Sequence, residues 1–139
     1  MKLLSILFVL LAGTAWAGPC GPDRETDVPV LEDAKAAFLD ADYRAFTTIA
    51  GAYFPDIEEN FDNYFGQIQV VFPNGYVSCH TVLQRREEPG FFQDLVFYIP
   101  EGYDAPMALL LIAAEVDGEA KLIEFSYNTS ISAVLEELK

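Results

Sequence analysis

Basic residues, histidine and sulfur are all scarce in this chain. Lysine and arginine together number 8 against 22 aspartates and glutamates, so the formal charge is −14. A surface this acidic repels nucleic-acid phosphates and anionic lipid, which excludes both as partners and leaves cationic ones open. One histidine, His80, and two cysteines, Cys20 and Cys79, cannot assemble a zinc set. No metal or cofactor is expected. The chain has no GxSxG elbow, no glycine-rich phosphate loop and no Ser-His-Asp spacing, so no catalytic residue is assigned. Asp56, Glu58, Glu59 and Asp62 lack the central glycine and closing glutamate of a calcium loop. Interleaved with Ile57 and Phe61 at helical steps, they read as a solvated helix face. Arg85-Arg86, the one basic pair, is followed at once by Glu87-Glu88 and reads as local charge balance.

Long apolar runs are also few. Residues 1–17 have the parts of a secretory signal peptide: Lys2, an apolar stretch from Leu3 to Ala12 broken only by Ser5, and Ala15-Trp16-Ala17 before the cut. The stretch is shorter than the roughly 20 residues that cross a bilayer. Pro19, directly before Cys20, argues against lipidation there. The protein is therefore expected to be exported, periplasmic or secreted. Lys2 leaves with the leader, so the remainder carries −15. Residues 18–30, with three prolines and two glycines, read as a linker, and residues 31–139 as a single domain. The longest later apolar run, Met107 to Ala114, has strand length, so no membrane association is expected after cleavage.

Two cysteines in an exported chain suggest a Cys20–Cys79 disulfide. Free thiols, or an intermolecular bond through Cys20, are the alternatives.

Helical periodicity begins at Leu31 and runs through Ala34, Ala37, Phe38, Ala41, Ala45, Phe46, Ile49 and Tyr53. Asp40-Ala41-Asp42 is expected to split it into two capped helices. A further short helix is expected from Asp56 to Tyr64, closed by Gly66. Alternation then sets in at Gln67–Phe72, followed by Asn74-Gly75, a strong hairpin signal. Strands follow over Tyr76–Arg85, Phe91–Ile99, Met107–Val116 and Ala120–Tyr127, with Asp117-Gly118 as a second hairpin signal. A short C-terminal helix ends at Leu138. The expected class is α+β: N-terminal helices packed on a curved antiparallel meander of about five strands.

The stretch Ala36-Ala37-Phe38-Leu39-Asp40-Ala41-Asp42-Tyr43-Arg44-Ala45-Phe46, with the strand meander from Gln67 to Tyr127, resembles the opening and sheet of small NTF2-like and cystatin-like α+β domains. The resemblance implies a pocket between helix and sheet, in a family that includes isomerases, dehydratases and non-enzymatic binding modules.

Strand phase places Tyr76, His80 and Tyr98 on one sheet face, as candidates to line a pocket or contact a partner. Cys79 points the other way, so a Cys–His nucleophile pair is disfavoured. These features lead to an exported binding or interaction domain for an unknown protein or small apolar ligand. Met107–Ala114, apolar on both faces, allows a sheet-mediated homodimer. The alternatives are an inhibitor or accessory subunit of a cationic exported enzyme, and a small enzyme using His80 or a buried carboxylate.

Overall fold

A computed structural model of the chain describes residues 18–21, 27–51 and 53–139. The expected leader, residues 1–17, lies outside the described residues. Helix α1 spans Pro29–Leu39 and starts two residues before Leu31, inside the expected linker. Proline at the first helical position has the required φ and gives up no hydrogen bond. Leu31, Ala34, Lys35, Ala37 and Phe38 face inward. Asp40 and Ala41 then turn the chain, as the sequence indicated. The Asp42 carboxylate accepts the Ala45 N–H at 3.0 Å and starts α2, Tyr43–Ala50.

Gln67–Phe72 does not form a strand. A π-helical turn, Asp62–Gly66, runs directly into α3, Gln67–Val71. The decisive spacing is Phe61, Phe65, Ile68 and Phe72, at steps of four, three and four residues, and all four are buried. This helical face crosses Gly66 and outweighs the short alternation that had suggested a strand. Asn74-Gly75 consequently joins a helix to a strand. Gly75 has φ +70° and donates its N–H to the Phe72 carbonyl at 3.1 Å.

The sheet therefore has four strands, not five: β1 Tyr76–Glu87, β2 Phe91–Pro100, β3 Met107–Val116 and β4 Glu119–Asn128, an antiparallel meander in that spatial order. Asp117 and Gly118, with φ +54° and +81°, form the β3–β4 hairpin that their sequence signalled. Strand β3 is internal and buried from Met107 through Ala113, as its two-sided apolarity required. One face carries the main core, with Phe38, Phe46, Phe65, Val96, Tyr98, Leu109 and Leu111. The other face is also covered. Helix α4, Ile131–Leu135, buries Val134 against Leu95, Ala108, Leu110 and Ile112, with Ile131 and Leu138 beside it. The helices thus pack on both faces. The second apolar side of β3, which had suggested a dimer, finds its cover within the chain.

Cys20 and Cys79, 59 positions apart in the sequence, are disulfide-bonded. Closing a loop of that length removes about 4 kcal/mol of unfolded-state entropy in the chain-entropy model. The Cys20 carbonyl also accepts the Thr81 N–H at 2.8 Å, so the N-terminal segment pairs with the outer edge of β1.

A charged cluster lies between α1 and the sheet. Lys35, with no exposed side-chain surface, places Nζ 2.7 Å from Asp94 Oδ2 and 2.6 Å from Glu32 Oε1. Arg86 reaches the other Asp94 oxygen at 2.6 Å. The cluster ties α1, β1 and β2 together. Arg85 instead pairs with Glu87 at 2.5 Å, so the basic pair divides between surface and interior.

Asp94→Ala leaves two cationic side chains facing a vacated carboxylate site. It should lower stability by about 3–5 kcal/mol in urea unfolding, far more than Glu87→Ala at the exposed pair. Gly90 has φ +148°, and a Cβ there would lie 2.5 Å from Glu115 Cβ on β3. Gly90→Ala should cost about 1–3 kcal/mol in the same measurement.

Candidate functional site

The main core is largely aromatic. Phe38 of α1 is its hub, with ring centroids 5.2 Å from Tyr43, 5.5 Å from Phe46, 5.8 Å from Tyr76, 5.2 Å from Tyr98 and 5.8 Å from Tyr127. Phe65, from the π-helical turn, stacks on Tyr43 at 5.1 Å and on Phe125 at 6.0 Å. Rings at these separations attract one another beyond simple burial.

Four tyrosines in this layer also need partners for their hydroxyls. The Tyr43 and Tyr76 hydroxyls are 3.0 Å apart, and Tyr76 Oη lies 3.6 Å from Met107 Sδ. Tyr98 donates to the Lys35 carbonyl at 3.0 Å. Tyr127 donates to the carbonyl of Tyr64 within the π-helical turn. Burial raises the pKa of all four, because a phenolate loses more hydration than a phenol. For Tyr76 the hydrogen bond with Tyr43 adds to the effect, and for Tyr98 the Glu32 carboxylate does.

A cleft of about 250 Å³ opens beside this layer, where α3 meets the start of β3 and the end of β4. Ile68, Val71, Phe72 and Met107 form its apolar wall, while Gln67, Tyr127, Asn128 and Thr129 supply amide and hydroxyl groups. Tyr103, on the β2–β3 turn, contacts two residues of that wall. Its ring meets Phe72 edge-on at 5.1 Å, and its hydroxyl donates to the Val71 carbonyl at 3.2 Å. Pockets for drug-sized ligands run to about 300–1,000 Å³. This cleft suits one apolar side chain or a small neutral molecule.

The three residues singled out by strand phase do not form a unit. Tyr76 and Tyr98 are together, with centroids 5.2 Å apart. His80 is exposed on the opposite sheet face, across from Phe97, and lines neither the α3 cleft nor the groove described below. The cause is a bulge at Val77. The extra residue turns Tyr76 to the side of Cys79 and Tyr98. A second bulge, at Val82, sends Leu83 to the side of His80. Of the cleft wall, sequence reasoning missed Ile68, Val71 and Phe72, which it had assigned to a strand. The helical step from Phe61 to Phe72 carried the signal.

No family model, curated protein or solved structure matches the chain.

The four tyrosines, Tyr43 and Tyr98 buried and Tyr76 and Tyr127 half-buried, predict alkaline instability. Their folded pKa values lie above the unfolded value near 10. Lys35 has the same sign: burial lowers its pKa, but Asp94 and Glu32 together outweigh burial and raise it. The folded state therefore holds these protons more tightly. Their stabilisation is complete below about pH 10 and is lost as pH rises through the folded values. In a spectroscopic pH titration, phenolate absorbance from Tyr43, Tyr76, Tyr98 and Tyr127 should appear together with loss of helical circular dichroism, not before it.

Proposed function

We propose that the chain is an exported, non-enzymatic binding domain that captures a small apolar group in the α3 cleft. The observation that carries this reading is the apolar surface around the opening. Val71, in the cleft wall, is 39% exposed, and Tyr103, which donates to the Val71 carbonyl, is 50% exposed. They gather next to a cleft with an apolar wall and a polar rim, the usual composition of a binding site. The leader-like residues 1–17 and the Cys20–Cys79 bond support export to an oxidising compartment. No helix among the described residues is long and apolar enough to cross a membrane.

The NTF2-like and cystatin-like resemblance supports the same reading, because the cleft lies between a helix and the sheet, where such domains hold ligands. A binding role is favoured over catalysis because the groups at the cleft are amides, hydroxyls and a thioether. None is poised to exchange a proton near neutral pH. The buried carboxylate of Asp94 is engaged with Lys35 and Arg86.

Titration with phenol and with butyramide, followed by amide chemical shifts, tests this. Saturable shifts are expected at Ile68, Met107 and Asn128. Val71→Trp, at a half-exposed position, should fill the cleft and abolish them with little change in stability. Absence of saturable shifts at these residues, or unchanged binding by the tryptophan variant, would overturn the reading.

A further inference from the structure

A second depression lies at the other end of the helical layer. It is an open groove of about 610 Å³ between the start of α1, the end of α2 and the start of β4. Pro29, Val30, Ile49 and Ala120 give it an apolar lining, and Thr48 adds a hydroxyl. Asp33, Glu119 and Lys121 also line it. Asp117, in the adjoining hairpin turn, lies within electrostatic reach of Lys121. Glu119 and Asp117 both act on the Lys121 ammonium, and Lys121 is already in contact with Glu119. Asp33 is exposed and has no cation beside it among the described residues.

We infer that this groove docks a cationic protein segment presenting an apolar residue flanked by lysine or arginine. Three observations select that occupant. The lining is apolar, so it rewards an aliphatic side chain. The rim carries excess negative charge on a chain already at −14, so a basic segment is steered towards it and an acidic one repelled. The groove has more than twice the volume of the α3 cleft and is more open, which suits a stretch of chain better than one enclosed group. The contact is expected to be weak, fast and salt-sensitive, because its charges are exposed. It is independent of the α3 cleft, since the two depressions share no residue.

The test uses three capped peptides, Lys-Leu-Lys, Lys-Ser-Lys and Glu-Leu-Glu, titrated into isotopically labelled protein at low salt. Lys-Leu-Lys should shift the amides of Val30, Ile49 and Ala120 saturably, while the other two peptides should not. Asp33→Lys should weaken binding by about threefold to tenfold, and Lys121→Glu should strengthen it by a similar factor. Both positions are on the surface, so both variants should fold. The inference is overturned if shifts spread evenly over the acidic surface, or centre on the α3 cleft. Equal binding of Lys-Ser-Lys, or an unchanged dissociation constant in both variants, overturns it too.

Discussion

The contact between Lys35 and Asp94 orders the rest of this structure. An ammonium and a carboxylate without exposed surface, 2.7 Å apart, can be separated only by leaving charge stranded in the core. Apolar packing alone would let α1 slide or rotate over the sheet at small cost. The ion pair admits one register. From it follow the Tyr98 hydroxyl on the Lys35 carbonyl, one turn before Leu39 ends the helix, and the central position of Phe38 among five aromatic rings. Cys79 lies opposite Tyr98 in the β1–β2 register, so the disulfide anchors the N-terminal segment at the same place.

Aromatic rings fill the space between helices and sheet, and their hydroxyls determine its edges. A buried phenol needs a partner, and the chain meets that need with carbonyls of helical segments and with other tyrosines. The Tyr64 carbonyl, in the π-helical turn, receives Tyr127 of β4. That bond holds the Asp62–Val71 helical segment against the end of the sheet, beside the α3 cleft. The cleft and the groove at opposite ends of this layer differ in chemistry. At the α3 end the rim is uncharged amide and hydroxyl, and at the β4 hairpin end it is carboxylate.

Much of the architecture is legible in the residues. Asp40-Ala41-Asp42 starts a second helix because the short Asp42 carboxylate takes the place of a missing carbonyl, after Ala41 has turned the chain at φ +53°. Asp117-Gly118 makes a hairpin because both residues tolerate positive φ. Met107–Ala113 is a buried inner strand because nothing in it can face water. The candidate sites are less legible. Ile68, Val71 and Phe72 look like half a strand in a six-residue window and like a helix only in a twelve-residue one. Lys35 and Asp94 stand out only once each is seen interrupting an apolar face, Lys35 between Leu31 and Phe38, and Asp94 between Phe92 and Val96.

The sequence by itself determined the class of the fold, the central strand, the helix break and the one possible cysteine pairing within the chain. These depend on local stereochemistry, on hydrophobic period, or on simple count. The tertiary structure decided which face each β1 residue occupies. A bulge inserts one residue without leaving a mark in the hydrophobic pattern, and each insertion reverses every side chain beyond it. That is why His80 stands apart from Tyr76 and Tyr98. The tertiary structure also decided that Lys35 and Asp94 meet. The attraction that pairs them acts between segments 59 positions apart, and no local preference encodes it.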